Sequence, residues 1–334
     1  MRITKELLLK TAHQAAEKQV KLNRQLVCIY LTGSLLTDEP LLGHTTDIDL
    51  VFIHSGEPPE NREIIPVHDD IHLDIAHVSQ NIFRQPRSLR GHPWIAPFLC
   101  WNPICLHDTR HWFEFTQAAV CSQINRSEYV YQRALTLAEQ ARESWMDLSM
   151  GDEVPFEKKI NRYFNILFNS ANSIASLNGI PLTERRFLLL FPQRAAMINR
   201  PGLAAGLEDL FTDSGEYKSR LEEWMKNWLA ALDTVAQKKY PPHLHPDRKN
   251  YLFNAADVLK EDYPTASLWI LLRSWNSCAA FLAEKSPEKQ AWNEAVTFLG
   301  LGEENISERL KALDAYLDTV EETLDTWAEN HGLK

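Results

Sequence analysis

The chain has 334 residues, of which 44% are hydrophobic and 24% charged, a balance that excludes a disordered or fibrous polypeptide and, at ~100–200 residues per domain, suggests two domains. Its 35 Lys and Arg stand against 45 Asp and Glu, a net charge of −10, which argues against a binder of long nucleic acids and leaves room only for a local basic pocket. No stretch reaches the ~18–20 apolar residues that span a bilayer, and the N-terminus MRITKELLLK lacks a signal-peptide apolar run, so no membrane role and a cytoplasmic location are expected.

Leu8, Ala12, Ala15, Ala16 and Val20 recur at helical spacing and predict an amphipathic helix over 5–22. A buried strand, Leu26 to Leu31, follows and runs into the turn-forming trio Thr32-Gly33-Ser34. From Asp47 to Ile53 the sequence DIDLVFI alternates, so Asp47, Asp49 and Val51 share one face and Ile48, Leu50 and Phe52 the other. After the break at Gly56 to Pro59, Glu63 to Val78 reads as a hairpin turning at His68-Asp69-Asp70. On its second arm Ile71, Leu73 and Ile75 point one way while His72 and Asp74 point the other.

Beyond about residue 122 helical stripes take over. Val130, Ala134, Leu137, Ala141, Trp145 and Leu148 form one, and Ile160, Tyr163, Phe164, Leu167, Phe168, Ala171, Ile174 and Ala175 another, stopped by Asn178-Gly179 and Pro181. Further helices are expected over 216–239 and 264–284. The last carries Ile306, Leu310, Leu313, Leu317, Val320, Leu324 and Trp327 at alternating spacings of four and three, a pattern that suits a homodimer seam and, better, a core helix of a bundle. The five cysteines (Cys28, Cys100, Cys105, Cys121, Cys278) contain no CxxC pair and are expected to be free structural thiols. Cys100 and Cys105 with His107 lack a second cluster that would complete a zinc site.

Nucleotidyl transfer needs donors that grip a polyphosphate and carboxylates that hold divalent metal against the transferring phosphorus. Gly33 lets backbone approach a phosphate, and Ser34 adds a hydroxyl beside the N–H groups of an expected helix start. Asp47 follows after a twelve-residue spacer, Asp49 two positions on, and Asp74 supplies a third carboxylate on a polar strand face. Three clustered carboxylates suit a two-metal in-line displacement, because carboxylates without ions would repel a triphosphate.

LTGS, the spacer, DIDL and the later LDIA at 73–76 resemble the DNA polymerase β-like nucleotidyltransferase superfamily over about residues 26–78, with Thr32 at a position that is usually apolar. The resemblance implies that Asp47 and Asp49 bind Mg²⁺, that Asp74 completes a second metal site or accepts the proton of an attacking hydroxyl, and that Gly33 and Ser34 hold a nucleotide. It implies an adenylyltransferase with two Mg²⁺ ions, ATP or another NTP as donor and a small-molecule hydroxyl acceptor. The layout is similar to antibiotic nucleotidyltransferases that modify aminoglycosides. Minimal members of the superfamily act as antitoxins that bind or modify a protein partner, and a catalytically silent nucleotide sensor is the remaining alternative.

The fold class expected is therefore α+β: a small mixed-sheet nucleotidyltransferase domain, residues 1–122, followed by an all-α helical bundle, residues 123–334. Arg84, Arg87 and Arg90 are phosphate-clamp candidates, as are Arg185 and Arg186 behind a Thr183 N-cap, because guanidinium groups bind phosphate bidentately. The non-apolar face of the helix at 158–178 carries Arg162, Asn165, Asn169, Asn172 and Ser176, a stripe rich in amides that suits a substrate groove or hydrogen bonds to neighbouring helices. Among His68, His72 and His77, with Asp69, Asp70 and Asp74 nearby, only His72 is placed to face the carboxylates.

Overall fold

Thr4 starts the first element: its hydroxyl accepts from the Leu7 N–H at 3.3 Å and caps α1 (Lys5–Leu22), as the amphipathic spacing predicts. The computed structural model describes residues 3–68, 70–151, 154–212, 215–238 and 240–334; Asp69 of the expected hairpin turn lies outside them. The chain divides into two compact units, Met1–Tyr129 and Val130–Lys334, against the boundary at 122 expected from sequence.

The first unit holds a five-stranded mixed sheet. Its strands are β1 (Leu26–Thr32), β2 (Thr46–His54), β3 (Arg62–His68), β4 (Ile71–Ser79) and β5 (Ile104–Asp108), in spatial order β3-β4-β2-β1-β5. β2 and β4 run parallel and the other pairs antiparallel. One sheet face carries an apolar layer: Ile29, Leu31, Ile48, Leu50, Phe52, Leu73 and Ile75 pack on Leu8, Ala12 and Ala16 of α1. The other face packs Cys28, Tyr30 and Ile53 against α2 (Pro86–Arg90), α3 (Ile95–Cys100) and α4 (Trp112–Cys121), through Leu89, Ala96, Leu99, Phe113 and Val120.

That second layer overturns two sequence expectations. Cys100 and Cys121 are not free thiols: the packing of α3 on α4 brings their Cα atoms to 5.4 Å and they form a disulfide, while Cys28, Cys105 and Cys278 remain free. Arg90 is no phosphate clamp. It is buried and donates to the Ala119 and Val120 carbonyls at 2.6 and 3.0 Å, and so caps the last turn of α4.

The second unit is helical. It comprises α5 (Ser127–Ser149, beginning just before the boundary), α6 (Phe156–Ala175), α7 (Phe187–Met197), α8 (Gly202–Asp209), α9 (Leu221–Ala236), α10 (Lys249–Leu259), α11 (Pro264–Ala279), α12 (Pro287–Phe298) and α13 (Ile306–Asn330). α11 is its centre. Twelve of its 16 residues are buried, and Trp269 packs against Phe187, Phe164 and Phe211 with centroids 4.8, 5.7 and 5.9 Å away. Leu313, Leu317, Val320 and Leu324 of α13 are buried within this unit against α6 and α8, so the heptad-like stripe is core. Among the described residues no helix is long and apolar enough to cross a membrane.

Candidate functional site

β1 ends at Thr32, and Gly33 then takes φ 82°, ψ −160°, a conformation essentially confined to glycine. An ideal Cβ at Gly33 would overlap Asp49 Oδ2 and lie 2.6 Å from Asp49 Cγ. Glycine is required here twice, by its dihedrals and by the carboxylate pressed against its backbone. Ser34 opens a 3₁₀ turn, Ser34–Leu36, closed by the Leu36 N–H to the Gly33 carbonyl at 3.2 Å and the Thr37 N–H to the Ser34 carbonyl at 3.0 Å. The expected helix start is therefore a single tight turn, too short to accumulate a macrodipole. Ser34 Oγ lies 3.5 Å from Thr46 Oγ1 at the beginning of β2. Thr32, at the position usually apolar, is buried and donates its hydroxyl to the Phe98 carbonyl of α3 at 3.2 Å.

Strand register assembles the carboxylates. Thr32 pairs with Asp49, Asp49 with Asp74, and Asp47 with His72. Residues directly opposed across a ladder point to the same side, so Thr32, Asp47, Asp49, His72 and Asp74 share the face opposite α1. Ligand atoms of Asp47, His72 and Asp74 all lie within 4.8 Å of one another, and all three residues are buried. Asp49 is half-buried between Gly33 and Asp74.

Asp74 has a partner that the sequence reading missed. Arg62, on β3, donates Nε to Asp74 Oδ1 at 2.7 Å and Nη2 to Oδ2 at 2.5 Å, a bidentate pair. Its signal in the sequence is weak: Arg62 begins an alternating run, but the contact is diagonal, since Asp74 pairs with Ile64 and Arg62 with Ala76. Burial alone would lower the Arg62 guanidinium, yet the Asp74 hydrogen bonds and the fields of Asp74, Asp49 and Asp47 raise it above its ordinary value. The guanidinium thus sits in the negative field of all three carboxylates, a field suited to a divalent cation.

The other sequence candidates lie elsewhere. Arg84 lines a shallow cavity of ≈ 230 Å³ with Gln80, Phe83 and Trp112. This segment begins after the far end of β4, which at ~3.3 Å per residue is some ~16 Å of strand past Asp74. Arg87 is exposed on α2. In the second unit Arg185 is buried, donating to the Tyr251 carbonyl at 2.9 Å and lying 3.6 Å over the Tyr251 ring, so it is a packing residue and not a phosphate ligand. Arg186 is half-buried in the 3₁₀ turn Glu184–Arg186, where Thr183 makes no side-chain cap. Asn165 and Asn169 are half-buried on α6, whereas Asn172 is buried and bridges to the Leu182 backbone, accepting at 2.6 Å and donating at 3.2 Å. The last part of the amide stripe is therefore a strut. No protein-family model matches the chain, and no curated protein matches it in sequence.

Proposed function

We propose that the first unit carries a divalent-metal-dependent nucleotidyltransferase site that moves a nucleoside monophosphate, AMP from ATP, to a hydroxyl of a small-molecule acceptor. The observation that carries the reading is the row Gly33, Asp49, Asp74, with Asp47 and His72 one step along the same face. A cation fits the residues present: ligand atoms of Asp47, His72 and Asp74 converge within 4.8 Å, Asp49 pairs with Asp74 across the ladder, and the three carboxylates are hard oxygen donors of the kind Mg²⁺ takes. Such an ion would supply charge neutralisation to a triphosphate and acidity to the acceptor hydroxyl.

The protein groups do the rest. Gly33, without a side chain, lets the Asp49 carboxylate lie against the turn that would hold a phosphate, and Ser34 adds a hydroxyl at the same turn. As the acceptor oxygen bonds to the α-phosphorus and pyrophosphate leaves, Asp74 takes the hydroxyl proton. Because both Asp74 oxygens accept from Arg62 in the resting site, Arg62 must first turn to the incoming triphosphate, which a guanidinium binds equally well.

The same pair favours one second reading. If Arg62 does not release Asp74, the site binds nucleotide without turning it over. Incubation with α-phosphate-labelled ATP, Mg²⁺ and a panel of aminoglycosides and hydroxylated metabolites separates the two. Label transfer that Asp49→Asn abolishes in a folded protein supports transfer, and ATP binding without product supports the sensor. Absence of both binding and transfer, or transfer undiminished in Asp49→Asn, overturns the assignment.

A further inference from the structure

On the opposite face of the β3–β4 hairpin lies a second cluster of metal-ligating groups. His77 pairs with Phe52 across the parallel ladder and packs edge-on against its ring at 5.4 Å, in the layer of Leu73 and Ile75. Its side chain is only 8% exposed. Nδ1 lies 2.9 Å from Nε2 of the buried His54, and Nε2, which has no hydrogen-bond partner, is directed at Glu63 Oε2 at 3.5 Å. Glu63 pairs with Ile75, placing it diagonally beside His77 on the same face, and the His77 N–H donates to the Asn61 carbonyl at 3.0 Å, which draws the preceding Glu60 in. Ligand atoms of Glu60, Glu63 and His77 all lie within 4.8 Å of one another.

We propose that Glu60, Glu63 and His77 form a Zn²⁺ site distinct from the Asp47, Asp49 and Asp74 cluster. A buried imidazole nitrogen facing two carboxylates without a hydrogen bond is costly unless a cation lies between them. Bonds of ~2.1 Å set a tetrahedral edge of about 3.4 Å, and the Nε2 to Oε2 separation is 3.5 Å. The neighbouring imidazole fits the pattern, because a ligating histidine donates its other ring N–H to an acceptor, the role that His54 Nε2, 2.9 Å from His77 Nδ1, would take. One nitrogen and two carboxylate oxygens suit Zn²⁺ better than Mg²⁺, which keeps to oxygen and has the carboxylates of Asp47, Asp49 and Asp74 on the other face. Glu60 is exposed at the rim, so a water would complete the four-fold shell. The ion would tie the start of β3 to the end of β4.

The test is calorimetric titration of chelator-stripped full-length protein with Zn²⁺ in excess Mg²⁺, paired with the visible absorption of Co²⁺ in its place. One equivalent of Zn²⁺ is expected for the native protein and for Asp47→Asn, which removes a ligand from the Asp47, His72 and Asp74 group. Glu63→Gln and His77→Gln are expected to weaken it more than about tenfold, as loss of a ligand should exceed the ~10–100-fold cost of losing a supporting group. Circular dichroism establishes that each variant is folded, and half-exposed Glu63 provides the reading should buried His77 not tolerate change. Absence of saturable Zn²⁺ binding overturns the proposal, as does affinity unchanged in Glu63→Gln. Loss of the equivalent in Asp47→Asn also overturns it, by assigning the ion to the other face.

Discussion

Replacing Gly33 with alanine tests the core of the candidate site, because two penalties coincide at one atom. The dihedrals of φ 82° and ψ −160° cost a side chain about 1–3 kcal/mol. The new Cβ would also overlap Asp49 Oδ2 and sit 2.6 Å from Cγ, so Asp49 would have to rotate its carboxylate out of its place in the row. Gly33→Ala should therefore lose more than about 2 kcal/mol of stability in the first unit, at the upper end of what backbone strain alone gives. Gly332→Ala is the control: φ there is 69°, and no atom lies within 4 Å of an added Cβ. Hydrogen exchange of peptides from β1 and β2 reads the effect on this unit alone. Asp49→Ala removes the overlapped Oδ2 and Cγ, so the double variant should recover about 1 kcal/mol relative to the sum of the two single changes. A Gly33→Ala loss no larger than that of Gly332→Ala, or strict additivity with Asp49→Ala, would refute the claim that Gly33 exists to admit this carboxylate.

Arg62→Gln strips a buried carboxylate of two charge-assisted hydrogen bonds and should cost about 1–3 kcal/mol, much of it recovered when Asp74→Asn is added; equal losses with and without Asp74→Asn would count against the pairing. Reducing the Cys100–Cys121 disulfide, whose sequence separation is 21, should lower stability by about 3 kcal/mol on loop-closure grounds, read as a shifted urea midpoint with alkylation confirming two new thiols. Arg142 binds Asp314, Asp318 and Glu321 on α13 at 2.5, 2.7 and 2.7 Å. With those acids about half exposed, Arg142→Ala should cost about 1 kcal/mol, an effect that shrinks in high salt; salt-independence would point to packing against Trp145 instead. Burial lowers the His92 imidazole, whose Nδ1 accepts from the Trp94 and Ile95 N–H groups at 3.2 Å each. The unfolded chain, at about 6.5, therefore binds that proton more readily than the folded one, so stability is full above about pH 6.5 and falls as acid is added below it. A pH series of melting curves should show this slope reduced in His92→Asn.

Sequence reveals those parts of this fold that repeat with a single period. α1 buries every fourth residue, Leu8, Ala12 and Ala16, and β4 alternates apolar Ile71, Leu73 and Ile75 with polar His72 and Asp74. Asp47 and Asp49 were legible as one face because DIDL alternates. β5 was not: its five residues are all half-buried at a sheet edge, so no alternation marks them. α7 carries Pro192 inside it and α8 carries Gly202 and Gly206, residues that read as breaks. The disulfide left no motif, since only the packing of α3 on α4 brings Cys100 to Cys121. Arg62 was invisible for a related reason. Its partner is fixed by the register of β3 on β4, a long-range quantity that residue types alone do not determine.

Register is also what makes the candidate site a site. β2 and β4 pair in parallel from Thr46↔Ile71 to His54↔Ser79 without interruption, so a slip of one residue would turn every side chain of β4 over. Asp74 and His72 would then enter the layer of Leu50 and α1, while Leu73 and Ile75 would face the carboxylates. Burying one unpaired carboxylate there costs several kcal/mol, and Leu73 and Ile75 would exchange their apolar layer for one lined by carboxylates. The apolar alternates Ile71, Leu73 and Ile75 thus hold Asp74 opposite Asp49 as firmly as any contact at the site itself. A Leu73→Asp substitution, which removes that preference without touching a carboxylate, should abolish ATP binding together with hydrogen-exchange protection of β4. Retained binding in that variant would show that the polar row forms without the apolar one.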